Sequence, residues 1–194
     1  MIGAVKVSMR DRLIEAASEL FYADGVRAVS VDRVIERAGT TKVTFYRHFK
    51  SKDELVVAHL ERCAAQEREG IGAAIESAQG DADRTFELIA GTFGAMANDA
   101  GFRGCPFINA AAEFPDPESA VRQTVNQHRS WCRDTFEEIV QPLHLPDSTG
   151  TAADLMLLRD GAMVAGSLDG EASVAASFLR SSRALISAAV AQGR

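Results

Sequence analysis

Long apolar runs, a secretion signal and paired cysteines are all missing from this sequence of 194 residues. No apolar stretch approaches the roughly 18 residues that span a bilayer, and the amino terminus lacks the pattern of a cleavable signal. The three cysteines form neither an even disulfide set nor a CxxC metal pair; they are Cys63, Cys105 and Cys132. We therefore expect a cytoplasmic protein with free thiols, no metal site and no membrane partner.

Enzyme signatures are equally scarce. Residues 70–75 read GIGAAI, which lacks the third glycine of a dinucleotide fingerprint, follows no predicted strand and interrupts a helical pattern. The motifs GxSxG, HExxH and GxxxxGK[ST] do not occur, and His59 and His128 do not have metal-ligand spacing. The sequence therefore predicts no catalytic residues and no cofactor.

The net charge of −6 is unevenly divided along the chain. Residues 1–52 carry ten Lys or Arg and six Asp or Glu, a net charge of +4. The remaining 142 residues carry eleven Lys or Arg and twenty-one Asp or Glu, a net charge of −10. A basic head on an acidic body indicates that one small domain contacts phosphate while the other faces the cytosol.

Helical periodicity dominates, and the alternation typical of strands is nearly absent, so we predict an all-α fold. Gly25 and Gly39 end the first two helices, Ser30 caps the second, and Ser51 caps a long fourth helix. Residues 100–117, rich in glycine and proline, are predicted to be irregular around a short apolar piece at 107–112. The predicted helices are 9–23, 31–38, 41–49, 52–77, 82–98, 118–140, 152–167 and 171–191, the last two separated at Asp169 and Gly170.

The third helix carries the most informative pattern. Phe45 and Phe49 are four residues apart and point together into a small core. Polar side chains remain outside, with Val43 and Tyr46 on the flanks; they are Lys42, Thr44, Arg47 and His48. Two short helices joined at a glycine form a helix-turn-helix, whose second helix enters the major groove. A solvated face on an ordinary helical pair is the alternative that periodicity leaves open.

Residues 10–25, RDRLIEAASELFYADG, and 30–55, SVDRVIERAGTTKVTFYRHFKSKDEL, resemble the TetR/AcrR family of one-component repressors. The resemblance implies nine or ten helices, of which three bind DNA and the fourth carries ligand-driven movement to them. By position it implies base or nearby phosphate contacts from Lys42, Thr44, Arg47 and His48, backbone contacts from Tyr46 and His48, and a phosphate contact from Lys52. Val43 stands where the family often has glycine or alanine, and two alternatives stay open: the closely approaching helix tilts, or Val43 contacts a thymine methyl.

The predicted domains are a DNA-binding domain at 1–51 and an effector-binding and dimerisation domain at 52–194. Residues 151–194 contain eleven Ala, four Gly and six Ser, so two closing helices of small residues can approach another pair closely across a two-fold axis. We predict a dimer interface of Leu155, Leu158, Ala162, Phe178, Leu185 and Ala189. The alternative is an intramolecular hairpin packed on the body.

The middle of the chain concentrates aromatic residues, including those of RGCPFINAAAEFPDP at 103–117, which resembles one branch of the family. An apolar cavity with a few orienting polar groups is how small-molecule sites are built. We predict effector contacts from Phe93, Phe107, Asn109, Glu113, His128 and Trp131. The alternative for Asn109 and Glu113 is that both face water.

Together these patterns predict a homodimeric repressor that binds a palindromic double-stranded DNA operator and is released by a hydrophobic or amphipathic effector. The alternatives are a DNA-binding protein that needs no effector and a small helical enzyme.

Overall fold

The computed structural model describes residues 7–99, 101–169 and 173–193, and within these ranges the chain is helical without strands. Nine α-helices and one 3-10 turn at Gln141–Leu143 are found in the described residues. The α-helices are α1 (Met9–Asp24), α2 (Val31–Ala38), α3 (Lys42–His48), α4 (Lys52–Ala78), α5 (Ala82–Ala97), α6 (Pro106–Glu113), α7 (Ala120–Val140), α8 (Ser148–Asp169) and α9 (Ser173–Gln192). The predicted all-α fold is confirmed.

The helix boundaries depart from prediction in two places. The apolar piece predicted inside an irregular segment is the regular helix α6, which begins at Pro106, where the fixed φ of proline suits a first helical turn. Helix α8 begins at Ser148 because Asp147 accepts the backbone N–H of Gly150 at 2.7 Å and its carbonyl accepts that of Thr151 at 3.1 Å. Gly170, predicted to separate the last two helices, lies outside the described residues.

The chain divides into two compact units. The N-terminal unit comprises the chain up to Ala64 together with Pro106–Val125, and the C-terminal unit comprises Ala65–Cys105 and the chain from Asn126 onward. The first half of α4 thus groups with the head, beyond the predicted boundary at residue 51. The side chain of His59 on α4 explains this grouping, because it contacts α1. Its Nδ1 atom is hydrogen-bonded to Ser18 Oγ at 2.8 Å, and its ring lies edge-on to that of Phe21.

In the N-terminal unit, helices α1 to α3 enclose a small core. Leu13, Phe45 and Phe49 are fully buried in it. Gly39 has a left-handed backbone, with φ of 62°, which only glycine adopts readily, and it ends α2. The Arg12 guanidinium donates to the Ala38 carbonyl oxygen at 2.7 Å, which ties α1 to the end of α2.

In the C-terminal unit, α5, α8 and α9 pack against one another around aromatic rings. The Phe178 ring lies 5.0 Å from that of Phe93 and 6.5 Å from that of Phe86. Gly94 permits a close helix contact, because a Cβ added there would lie 2.8 Å from the Cβ of Ala175. This core occupies the inner faces of α8 and α9 and leaves their outer faces to solvent.

Candidate nucleic-acid interface and effector region

Helix α3 presents a mixed cationic and hydroxyl-bearing surface. Phe45 and Phe49 are buried, as the spacing predicted. The side chains on the other side are exposed for Lys42, Val43, Tyr46 and Arg47 and half-buried for Thr44 and His48. This surface suits a major groove, because cations, hydroxyls and one apolar side chain are the groups that contact phosphates, base edges and thymine methyls.

The position of α3 is held by its first turn and its aromatic side. Thr41 caps the helix, accepting the backbone N–H of Thr44 at 3.2 Å, and the two hydroxyls are 3.0 Å apart. Tyr46 packs edge-on against Phe45 with ring centroids 5.2 Å apart, so its ring is oriented although half of it is exposed. These contacts pre-order the surface that would face DNA.

The cations of the predicted DNA contacts differ in their surroundings. The Lys42 ammonium lies 3.5 Å from the exposed Asp32 carboxylate, a weak ion pair that phosphate can replace. Partial burial lowers the pKa of Lys52, while the nearby carboxylates of Glu113 and Asp53 counteract that shift. Lys52 therefore lies beside acidic groups, and its phosphate contact stays a prediction.

Glu113, predicted as an effector residue, forms a structural contact within the N-terminal unit. Its carboxylate accepts the backbone N–H groups of Val26 at 2.9 Å and Arg27 at 2.5 Å, immediately after α1. Gly25 makes this approach possible, since it has a φ of 84° and a Cβ there would lie 3.3 Å from the Glu113 carboxylate oxygen. Glu113 thus joins α6 directly to the turn between α1 and α2.

A cleft of about 270 Å³ lies beside this contact. It is lined by Val26, Arg27, Lys52, Asp53, Glu113, Phe114, Pro115, Asp116 and Ser119, all in the N-terminal unit. Of the other predicted effector residues in this unit, Phe107 is buried and Asn109 is exposed. Six of these nine residues carry charged or hydroxyl-bearing side chains, whereas the aromatic content predicted a cavity lined mostly by apolar residues.

The remaining predicted effector residues belong to the C-terminal unit. Phe93 packs edge-on against Phe178, so its ring is part of the core. Trp131 is partly exposed, with the Arg68 guanidinium 5.3 Å from its ring centre and the His128 ring 5.7 Å away. The two units thus divide the predicted effector set, and its role stays a prediction.

A buried polar cluster surrounds His128. Glu67 Oε1 accepts from Arg159 at 2.7 Å and 3.2 Å, and Glu67 Oε2 lies 3.0 Å from His128 Nε2. Cys132 Sγ lies 3.4 Å from the same Nε2 atom. The pKa of Glu67 falls to about 2, because His128 and Arg159 outweigh the desolvation that alone would raise it. Burial and the Glu67 charge raise the pKa of the Cys132 thiol to about 12.

Several of the predicted dimer residues face the interior of their own chain, and the interface they would form stays a prediction. Leu155, Ala162 and Phe178 are buried in the protomer's core. Leu158, Leu185 and Ala189 are half-buried. The large apolar residues that α8 exposes are Leu157, Val164 and Leu168, at 68%, 46% and 77% of their full accessible area. They are spaced by seven and four residues and form one apolar stripe.

Helix α9 also exposes apolar surface. Its segment Val174–Gln192 is long and apolar enough to cross a membrane by length and composition, and most of it is not buried within the protomer. This finding departs from the sequence-based expectation that no segment could span a bilayer. Arg180 and Arg183 interrupt the exposed surface, and Arg183 pairs with Asp83 at 2.6 Å.

Sequence reasoning missed Glu67, Cys132, Arg159 and the outer stripe of α8. The spacing of His128 and Cys132, four residues apart on one helix, was a usable signal for half of the buried cluster. Glu67 and Arg159 are 92 positions apart, so their pairing depends on tertiary packing. The stripe at 157, 164 and 168 was visible as periodicity, but the sequence does not say which of two apolar faces points inward.

Two family profiles match the chain. Residues 13–59 match "Bacterial regulatory proteins, tetR family", and residues 82–182 match "Tetracyclin repressor-like, C-terminal domain". Among curated relatives, the HTH-type transcriptional activator FasR of Mycolicibacterium smegmatis is 33% identical over 95 residues, covering 48% of this chain and 43% of FasR. The HTH-type transcriptional repressor NemR of Escherichia coli is 24% identical over 119 residues, covering 61% and 60% of the two chains. These matches span less than two thirds of either relative.

Solved structures match over nearly the whole chain. A TetR-family transcriptional regulator from Streptomyces coelicolor is 36% identical, with a TM-score of 0.87 over 94% of this chain and 96% of that one. Reduced Escherichia coli NemR has a TM-score of 0.78 at 18% identity, over 92% and 97% of the two chains, which is a likeness of fold alone.

Proposed function

The chain belongs to the TetR family of bacterial transcriptional regulators, which bind DNA and are not enzymes, and on this premise we propose a ligand-responsive homodimeric repressor. In this proposal two copies of α3 bind adjacent major grooves of a palindromic operator. The observation that carries it is the exposed surface of Lys42, Val43, Tyr46 and Arg47, held by the buried Phe45. Occlusion of a promoter requires only this DNA-binding surface, which favours repression.

Dimerisation follows from the size of a single head. One seven-residue recognition helix buries too little surface for selective binding, so two half-sites spaced by whole helical turns are expected. The exposed stripe of Leu157, Val164 and Leu168 on α8 and the exposed face of α9 are the surfaces we assign to the dimer. Two copies of the chain would bring four such helices together, and their apolar faces would bury one another. The apolar face of α9 would then be covered by protein and would not require a membrane.

The effector response needs a contact between the effector-binding region and the head. Glu113 supplies one within the N-terminal unit, because its two hydrogen bonds join α6 to the backbone that follows α1. The effector is expected to be a hydrophobic or amphipathic molecule. In this proposal it binds more tightly to a conformation in which α6 has moved. Such a ligand shifts the equilibrium only as far as its affinities for the two conformations differ.

Selection of binding sites from random duplex DNA tests the function directly. Wild type should enrich a palindrome with half-sites about one helical turn apart, and Arg47→Ala should enrich a different or degraded sequence. Enrichment of no sequence by wild type would refute sequence-specific DNA recognition. A reporter gene carrying the selected site, transcribed less when the protein is present, distinguishes repression from activation.

The effector response has its own assay. Trp131 is the only tryptophan, so its fluorescence reports on the C-terminal unit without labelling. A compound that changes this fluorescence should release operator DNA, and operator DNA should weaken the binding of that compound by the same factor. Release of DNA with no reciprocal effect on the compound would contradict the proposed coupling.

A further inference from the structure

The buried cluster around His128 has the donor set of a transition-metal site. Three kinds of donor atom lie close together there. Glu67 on α4 supplies a carboxylate oxygen, and on α7 His128 supplies an imidazole nitrogen and Cys132 a thiol sulfur. The three donor atoms lie within 4.8 Å of one another. We propose that Glu67 Oε2, His128 Nε2 and Cys132 Sγ bind one Zn²⁺ ion in the C-terminal unit.

The distances fit tetrahedral zinc. Bonds of about 2.0 to 2.3 Å to oxygen, nitrogen and sulfur place neighbouring ligand atoms about 3.3 to 3.6 Å apart. The observed separations from His128 Nε2 are 3.0 Å to Glu67 Oε2 and 3.4 Å to Cys132 Sγ. Small rotations of these side chains would therefore separate the three donor atoms enough to admit the ion. The fourth tetrahedral position would be left for water or another oxygen or nitrogen donor.

The arrangement differs from a catalytic relay. In a Cys–His–acid relay, the thiol and the carboxylate contact opposite nitrogens of the imidazole, so that the acid orients the base. Here both lie closest to Nε2, so their donor atoms converge on one point. The geometry therefore favours a shared ligand over a nucleophile and its base.

Arg159 orients the carboxylate. It occupies Glu67 Oε1 through two hydrogen bonds of 2.7 Å and 3.2 Å, so that Oε2 remains directed at His128. Contacts of this kind, one shell beyond the ligands, fix ligand orientation in metal sites. Arg159 is a positioning residue in this proposal. When zinc binds, the thiol proton of Cys132 is released to solvent and the thiolate charge is balanced by the ion. His128 binds as the neutral imidazole, with its proton moved from Nε2 to Nδ1.

The site would be reached from the side of Glu67. Its side chain is 21% exposed, whereas that of His128 is 1% exposed and Cys132 is fully buried. The ring of Trp131 lies 5.7 Å from that of His128, at the edge of the cluster, and makes metal binding visible by fluorescence. The proposal does not depend on DNA recognition, so either can fail without the other.

A competition titration against a chromophoric chelator, with Zn²⁺ alone as the probe, measures the site in the full-length protein. Wild type should bind one ion per chain, and Cys132→Ser should bind it about 100-fold or more weakly, since even loss of an outer contact costs 10- to 100-fold. Cys63→Ser is the matched control. Cys63 also follows a histidine by four residues, with Sγ 3.8 Å from His59 Nδ1, but it belongs to no three-donor group among the described residues.

Cobalt substitution tests the ligands themselves. Co²⁺ bound to wild type and to Cys63→Ser should give a thiolate charge-transfer band and quench Trp131, and Cys132→Ser should lose the band. Wild type that binds no zinc, or a charge-transfer band that disappears in Cys63→Ser and persists in Cys132→Ser, would overturn the proposal. The wild-type spectrum decides the question even where Cys132→Ser fails to fold, because absence of the band there excludes a thiolate ligand.

Discussion

Helices α3 and α8 both expose side chains to solvent, but of opposite kinds. Helix α3 exposes Lys42, Tyr46 and Arg47, whereas α8 exposes Leu157, Val164 and Leu168. The first set stays hydrated at little cost until it meets phosphates and base edges. Exposure of the second set to water costs free energy until another apolar surface covers it. The comparison therefore supports the proposal that one surface contacts DNA and the other a second copy of this chain.

Charged substitutions in the apolar stripe of α8 should have the largest effect, which is on dimerisation. Leu157→Glu with Val164→Glu would place carboxylates at the centre of the proposed dimer interface, where burying an unpaired charge costs several kcal/mol. We expect a folded monomer in sedimentation experiments. Ile75→Glu, which replaces an apolar side chain on α4 that is 36% exposed, is the control and should leave the dimer intact. A dimer indifferent to the double substitution would move the interface elsewhere.

Acid should weaken the core that supports α3. Burial, with a smaller contribution from Arg62, lowers the pKa of His59 from 6.5 to about 4. Since the unfolded chain binds this proton first, the stabilisation is present above pH 6.5 and is lost as the pH falls toward 4. The difference corresponds to about 3 kcal/mol of unfolding free energy.

Urea unfolding at a series of pH values measures this effect. The His59→Gln variant should be less stable near neutral pH and show a shallower loss of stability between pH 6.5 and 4. An identical pH dependence in wild type and His59→Gln would show that another group controls acid unfolding.

Substitutions on α3 should change the selectivity for DNA sequence, with an effect smaller than those of the two preceding predictions. We expect Arg47→Ala to lose about 1 to 3 kcal/mol of discrimination at one base position per half-site, if its guanidinium contacts a base edge. Lys52→Ala, beside the acidic groups of Glu113 and Asp53, should weaken binding to all sequences alike. Competition between operator and mutated duplexes measures both. The prediction would be contradicted if Lys52→Ala changed the sequence preference and Arg47→Ala weakened binding to all sequences alike.

The smallest effect is expected at the contact between α6 and the head. Glu113→Gln keeps the shape but replaces a carboxylate acceptor of two N–H groups by a neutral amide. Operator affinity should change little, whereas the effector-dependent change in that affinity should fall about five-fold or more. Ala112→Gln, on the exposed side of the same helix, is the control. Unaltered coupling in Glu113→Gln would remove this contact from the effector response.

Local patterns predicted the helices and the head well. The four-residue spacing of Phe45 and Phe49 defined the inner side of α3, and Ser30 and Ser51 cap the helices expected of them, accepting the N–H groups of Arg33 and Glu54. These features depend on residues within one or two turns, where propensity and spacing determine the outcome.

Tertiary features were harder to predict. Phe178 seemed suited to an interface, but its contacts with Phe86 and Phe93 bury it in its own chain. Glu113 lines a cleft, and its carboxylate also binds backbone groups 86 and 87 positions away. The contacts of both side chains depend on packing between distant segments, which local sequence patterns do not encode.

Salt dependence of operator binding tests the central claim most directly. Binding of the selected duplex, followed by fluorescence anisotropy from low to moderate salt, should weaken steeply, with a log–log slope of about 0.9 for each phosphate contacted. A scrambled duplex should bind more weakly at every salt concentration. A flat response, or equal affinity for both duplexes throughout, would contradict sequence-specific DNA recognition by α3.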